Sequence, residues 1–356
     1  MEITVQTVSH FYLSCSKHLQ HGNPAAALRI HQLYATPVLL SGMGSIILNK
    51  SETDMIDAFL KKKSQNLQKL MDKTPASIVA FLGGVLPGYA LLHLKQFSIF
   101  GMITRLSSES ILHRHGLHVL SSSRPSAQSW FQQMRNLCLL YQLPHPLTLL
   151  QDPLTKKTFD MLIKSNIVNH WEVKLRMEAA SLESAPYIKP EFMSLTLPHP
   201  IWTTCGANPF ESHKAVTTSR MLSGRYLTDR LQRHWTTNKA GYCLLPTCNP
   251  ESQGSLEHLL LHCPALHSVR TRMYNLCHKV STESEELSTI ITMILQSDEE
   301  RLRMQLLLDC TTMPTVIQIT QLLGTHTRDR LLYIGRTWCY NIHRERMNQM
   351  GLLRFR

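Results

Sequence analysis

Apolar residues recur along most of this chain at the three-and-four spacing of an amphipathic helix, and strand-like alternation is rare. The clearest run is Ser51 to Asp72. There a Ser cap precedes Met55, Ile56, Phe59, Leu60, Leu67, Leu70 and Met71 on one stripe, with Lys61 to Lys63 mainly toward the other side. The same periodicity predicts helices over Pro24 to Leu48, Pro87 to Leu106, Ala127 to Tyr141, Thr155 to Leu182, Phe210 to Leu222 and Tyr226 to Trp235. Leu266, Val269, Met273 and Leu276 continue it, and Thr327 to Met350 reads as a long basic closing helix. Trp130, Trp171 and Trp338 sit at helical spacing, which marks them as packing residues.

Proline and glycine separate these segments. Gly83-Gly84 and Pro87-Gly88 mark a helix–helix turn, and Ser121 to Ser126 and Leu143 to Pro146 mark surface connections. Tyr187 to Ile201, carrying Pro190, Pro198 and Pro200, reads as an extended linker that divides the chain. The expected fold class is therefore mainly α. The longest apolar stretches, Tyr34 to Leu48 and Ile78 to Leu94, are broken by Pro, Gly, Ser, His or Lys short of about 18 clean residues, so they predict core helices rather than membrane spans.

One segment departs from the helical pattern. Gly241 to Cys263 reads C-x4-C-x9-H-x4-C, and Cys243, Cys248, His258 and Cys263 would make a closed four-ligand zinc site. Asn249, Pro250 and Gly254 supply turn residues between the two halves, and Ser255 to His262 reads as the start of a helix carrying the later ligands. A closed thiolate-rich set suits structural zinc, because no position is left for a catalytic water. His262, four residues after His258, is sterically open as a substitute for Cys263. The plainer alternative is a set of buried thiols beside an ordinary helix-surface histidine.

The net charge of +12 favours a polyanionic partner, RNA or DNA, because neutralising phosphates releases condensed counterions. The candidate phosphate contacts lie just before the Cys/His segment: Lys214, Arg220, Arg225, Arg230, Arg233 and Lys239 stand against only Glu211 and Asp229. Leu227, Leu231 and Trp235 recur every four residues, which predicts a buried stripe with Arg225 and Arg233 on the opposite face. Tyr226 and Trp235 flank that helix as candidate base-stacking rings. A second basic group, Arg328, Arg330, Arg336, His343, Arg344, Arg346, Arg354 and Arg356, decorates the last helix and tail. For both groups a solvated charged face is the competing reading.

The nine cysteines are scattered and odd in number, which argues for reduced thiols in cytoplasm or nucleus rather than a disulfide framework. The start, MEITVQTVSH, lacks the basic end and apolar core of a signal peptide, so secretion is not expected. Catalytic motifs are missing from the sequence. It has no adjacent pair of aspartates, no G-x-x-x-x-G-K-[ST], no G-x-S-x-G and no H-E-x-x-H.

Taken in order, these motifs resemble the C-terminal part of a non-LTR (LINE-type) retrotransposon reverse transcriptase. The resemblance runs through ALRIHQLYATPVLLSGMGSIIL, FLGGVLPGYALLHLKQFSIFGMITRL, the Ser129-Trp130 pair, LCLLYQLPHPLTLL, Trp171, FMSLTLPHPIW, RMLSGRYLTDRLQRHW, the CCHC segment and RTWCYNIHRERMNQMGLLRF. It implies a thumb-like helical region over residues 1–106, a middle helical region over 107–186 and a linker over 187–205. Basic helices with a zinc knuckle would follow over 206–280, and a C-terminal helical region over 281–356. The family's fingers and palm, with the F/Y-x-D-D pair, would lie before Met1, so polymerase activity is not expected of this chain alone. No P-D followed by a spaced acidic residue follows the knuckle, and Ser41-Gly42-Met43-Gly44 replaces the common Tyr-Gly-Leu-Glu run. The expectation is a catalytically incomplete, nucleic-acid-binding chain. Two alternatives stay open: a zinc-stapled protein-interaction module, or the thumb and knuckle of a split polymerase acting with a separate palm.

Overall fold

The structure, a computed structural model, describes residues 22–122, 129–232, 240–249 and 251–352. It is helical almost throughout, and its one β-type pairing among the described residues is the isolated antiparallel bridge between Tyr242 and Gln253. The mainly α expectation holds.

The first helix begins at Pro24, with Asn23 accepting from the Ala25 N–H at 2.8 Å and proline in the first turn, where no donor is needed. It widens to a π turn over His31–Ala35 and resumes over Thr36–Leu39. Pro37 has no N–H for the carbonyl four residues back, and the wider turn before it relieves the clash that α winding would impose. Regular winding ends well before Leu48, because the backbone turns left-handed at Gly42 (φ 75°). The next helix, Lys50–Leu67, is capped not by Ser51 but by Asn49, in a reciprocal box with Glu52 (2.9 and 2.8 Å). Ile56 and Leu60 point inward as the stripe predicts, whereas Met55 is exposed.

Ala76–Gly83 and Gly88–Thr104 meet at the predicted glycine-proline turn with a bend of 63°. Around them pack Ile111–Ser121, Trp130–Leu140, Pro146–Gln151 and the long Lys156–Ala180 helix, which buries Phe159, Ile163, Ile167, Trp171 and Leu175. Residues four apart lie about 40° apart around the axis, so this row winds slowly along one side of the helix.

The Tyr187 to Ile201 segment, expected as an extended linker, is packed into the core. Tyr187, Ile188, Met193 and Leu195 are buried in the same cluster as Phe97, Trp171, Leu260 and Trp338. Polar bonds fasten this strap: the Leu195 N–H donates to Glu172 Oε1 at 3.0 Å, and Arg176 donates to the carbonyls of Pro190 (3.2 Å) and Met193 (3.1 Å). Proline punctuation signals irregular backbone, but it does not separate an exposed connection from a packed one. The remaining helices, Pro209–Leu222, His267–Ser281, Glu285–Leu295, Glu300–Asp309 and Pro314–Leu323, assemble around the closing helix His326–Gln349.

One stretch, Glu300–Leu323, is long and apolar enough by length and composition to cross a membrane (mean hydropathy 1.2). Met304, Leu306, Leu307, Leu308, Cys310 and Val316 within it belong to the protein core.

The closing helix carries its charge differently from expectation. Arg336 and Arg346 are 2% and 1% exposed, Arg328 pairs with Asp329 at 2.7 Å, and Arg330 pairs with Glu283. Arg346 donates to Asp229 Oδ1 at 3.0 Å and to the Leu227 carbonyl at 2.7 Å, over the Tyr226 ring. Removing one member of such a buried pair leaves the other charge uncompensated. Arg346→Met is therefore expected to lower stability by about 3–5 kcal/mol in urea unfolding, and adding Asp229→Asn to recover part of that loss. Equal stability of the single variant and the parent would show that the pair does not fasten this region.

Candidate metal centre

The strap and the closing helix bracket residues 240–266, where the Cys/His motif folds. Its first half is a short hairpin: the Cys243 N–H donates to the Ser252 carbonyl at 2.8 Å, and the Gly254 N–H donates to the Gly241 carbonyl at 2.9 Å. Gly241 sits at φ 70°, where a side chain would be strained, with Arg230 Cα where a Cβ would point. Within the hairpin the Cys248 N–H reaches the Leu245 carbonyl at 3.0 Å, a turn that brings both thiols to one side.

The second half shows why the ligand spacing is four and not three. His258–His262 is wound as a π turn, closed by the Cys263 N–H on the His258 carbonyl. In an α-helix, residue i+5 would lie about 140° around from residue i. The i→i+5 winding brings it back toward the same side. Cys263 then leaves the helix (φ −54°, ψ 118°) into Pro264, which cannot continue the ladder. His262 is turned away, its imidazole half-exposed and 3.5 Å from Glu300. The ambiguity between His262 and Cys263 is thereby resolved for Cys263.

The ligand atoms of Cys243, Cys248, His258 and Cys263 all lie within 4.8 Å of one another. Cys243 and Cys263 sulfurs are 3.9 Å apart, and Cys248 Sγ is 3.2 Å from His258 Nε2. Metal–sulfur bonds of about 2.3 Å at tetrahedral angles require sulfur–sulfur edges of about 3.8 Å. The four side chains thus form a cluster that can hold a metal ion. The Cys243 thiol hydrogen bond to Cys263, then burial, pushes Cys243 up to about 12, while the same bond pulls Cys263 below the usual thiol range. The contact between the two thiols thus moves them in opposite directions, and both must give up a proton for an ion to bind.

A residue outside the motif completes the centre. Arg270 is 5% exposed, donates through Nη2 to the Cys263 carbonyl at 2.6 Å, and has a buried Nη1 with no hydrogen-bond partner among the described residues. A divalent ion on three thiolates and a neutral imidazole carries one net negative charge. The buried guanidinium of Arg270, bonded to the Cys263 carbonyl, would supply compensating positive charge to such an ion. No sequence signal marks Arg270, because it belongs to the following helix and meets the centre only in three dimensions. Glu257 accepts from Tyr187 Oη at 2.8 Å, so this carboxylate ties the knuckle to the strap.

The proposed phosphate contacts fare unevenly. Lys214 is buried, with its ammonium 2.7 Å from Glu211 and 3.3 Å from Thr337 Oγ1, and is committed within the fold rather than to a phosphate. Arg220 is half-buried and donates through Nε to the Lys69 carbonyl at 2.9 Å. Arg225 is half-buried too, and Arg230 is exposed. Arg233 and Lys239, like Trp235, Arg354 and Arg356, lie outside the described residues. Helix is present over Asp229–Gln232 rather than from Tyr226, and Leu227 is exposed, so the expected stripe does not form at its start. Tyr226 is buried with its hydroxyl 2.9 Å from His343 Nδ1, which removes it as a base-stacking ring. The metal ligands come together, whereas of the four candidate cations among the described residues only Arg230 is exposed.

No family model, curated protein or solved structure matches this chain.

Proposed function

We propose that this is a zinc-stapled, mainly helical protein that binds RNA or DNA without polymerase activity of its own, of the kind found downstream of the palm in LINE-type reverse transcriptases. The observation that carries the proposal is the closed Cys243, Cys248, His258, Cys263 set with Arg270 as its counter-charge. Three thiolates and one imidazole at tetrahedral spacing suit zinc, and a set with all positions filled staples structure rather than activating water. The net charge of +12 and the exposed Arg230 beside the hairpin support a polyanionic partner. The ordered motifs from Ala27 to Phe355 support the retroelement kinship, and the lack of adjacent aspartates supports the absence of polymerase chemistry.

The test is fluorescence anisotropy with single-stranded RNA and duplex DNA across a salt series. Affinity is expected to fall steeply with salt and to depend little on sequence, with a log–log slope of about −0.7 per phosphate contact on single strands. Absence of binding at low salt would remove the nucleic-acid part. Primer extension by the isolated chain would remove the non-enzymatic part.

A second reading, a stapled protein-interaction module, is favoured by one specific observation. Lys214, Arg336 and Arg346 spend their charge inside the fold. It predicts chelator-induced unfolding with no oligonucleotide binding under any salt.

A further inference from the structure

A group of cations converges away from the metal centre. Between the Pro209–Leu222 helix, the closing helix and the turn after Lys50–Leu67 lies a cavity of about 220 Å³, lined by Lys69, Arg220, Arg344, His213, Thr217 and Tyr340 among others. His343 and Val216 complete the lining, and no carboxylate is part of it. Its volume is below the roughly 300 Å³ at which pockets for drug-sized ligands begin, so it suits one small polyatomic group.

Arg220 and Arg344 both border this space. Arg220 uses Nε on the Lys69 carbonyl, its single side-chain hydrogen bond among the described residues. That bond fixes the plane of the guanidinium and leaves its terminal nitrogens as donors. Arg344 is exposed and has no ion-pair partner among the described residues. The backbone at Lys69 is left-handed (φ 53°), an uncommon conformation for a non-glycine residue, and it carries the carbonyl that holds Arg220. Burial, followed by the neighbouring Arg220 charge, pulls the Lys69 ammonium below its usual range. Burial and the charges of Arg346 and Arg220 hold His343 neutral, down to about 4. Like charges held close, without an acid among the lining residues, are stabilised by an anion that enters between them.

We propose that this cavity binds a single phosphate group, held by Arg220, Arg344 and Lys69. The phosphate belongs either to a nucleic-acid backbone or to a free phosphate. The choice of the first source rests on the nucleic-acid reading above, whereas the cavity itself does not. Arg220 was a candidate from sequence because it lies near the zinc motif. Lys69 and Arg344 are 151 and 124 residues away from it along the chain, and only the fold assembles them.

The decisive variant is Arg344→Gln, since an exposed side chain without partners can be changed with the fold intact, verified by circular dichroism; Arg344→Lys tests retention of charge, and Arg114→Gln is an exposed control on another helix. Two probes are titrated: inorganic phosphate by isothermal calorimetry, and a labelled single-stranded oligonucleotide by anisotropy in a salt series. If the phosphate is a backbone phosphate, Arg344→Gln weakens oligonucleotide binding about tenfold, uniformly across sequences, and lowers the magnitude of the salt slope by about 1. Arg344→Lys restores most of it, and Arg114→Gln leaves both unchanged. If Arg344→Gln abolishes inorganic phosphate binding while the parent binds no oligonucleotide, the cavity stands and the nucleic-acid reading falls. If phosphate and oligonucleotide titrations of Arg344→Gln and the parent superimpose, the cavity is not a phosphate site.

Discussion

Chelation of the metal is expected to unfold the region from Gly241 to Leu266 and, through the shared core, to destabilise the whole chain. Structural zinc in small modules contributes an apparent 10–16 kcal/mol or so at neutral pH, on the same scale as the roughly 5–15 kcal/mol of net stability typical of a folded domain. Here the module is not an appendage. Cys243, Leu245, Leu259, Leu260, Cys263 and Leu266 all belong to the main buried cluster, and Trp338 on the closing helix donates its indole N–H to the Leu260 carbonyl at 3.2 Å. Without an ion, nothing joins Cys243 and Cys248 firmly to His258 and Cys263 across the centre, and Arg270 keeps a buried Nη1 with no hydrogen-bond partner among the described residues. Elemental analysis should therefore find one zinc per chain, and a chelator should lower the thermal midpoint by more than 10 °C, reversibly on re-addition of zinc. Cys248→Ser and Cys263→Ser should reproduce the loss. His262→Ala should change stability by no more than about 1 kcal/mol, because its contact with Glu300 at 3.5 Å is an exposed one. A stoichiometry near zero, or an unchanged melt after Cys243→Ser combined with Cys248→Ser, would falsify the metal assignment.

Comparison of Cys263 with Lys214 shows what the sequence makes legible. The metal ligands lie within 21 residues, and turn residues plus a helical run bring them together, so local pattern suffices. Even there the pattern left His262 open. Only the π turn, which has no sequence signature, rotates Cys263 inward and His262 out. Helices such as Lys156–Ala180 follow from periodicity for the same local reason. Lys214 is the opposite case. A count of charges records its sign but not Glu211 and Thr337 around it, and Thr337 is 123 residues distant. Arg346 with Asp229 is illegible for that reason too: long-range partners decide whether a cation is surface or scaffold. Arg270 lies only seven residues from Cys263, but no motif ties its guanidinium to that carbonyl. The strap from Tyr187 to Ile201 fails differently. Its prolines report backbone shape, and burial depends on the neighbours that Glu172 and Arg176 supply.

Acid is expected to unfold the protein between about pH 6 and pH 4, a window that opens well above the range in which carboxylates titrate. Three histidines are held neutral inside: His31 beside Thr36 Oγ1 (3.1 Å), His93 beside Tyr141 Oη (2.6 Å) and His343 beside Tyr226 Oη (2.9 Å). Burial first, then Lys63 for His31, His170 for His93 and Arg346 for His343, holds each of them down to about 4. In the unfolded chain each would titrate near 6.5. As pH falls below that value the unfolded state takes up protons that the folded state refuses, so stability is full above about 6.5 and declines toward 4. Below 4 both states are protonated and no further loss comes from these groups. With one proton per histidine, the decline approaches about 4 kcal/mol per pH unit, or roughly 10 kcal/mol across the window, enough to exhaust the stability of most domains. Acid also displaces metal from thiolates, so the level of stability alone does not isolate the histidines. The slope does. His93→Gln keeps a hydrogen-bonding side chain beside Tyr141 but does not titrate, and it should remove about a third of the pH dependence in urea midpoints measured between pH 7.5 and 5 while zinc content stays at the parent value. A parent slope unchanged by His93→Gln, or midpoints flat across that window, would show that these imidazoles are not buried neutral in solution.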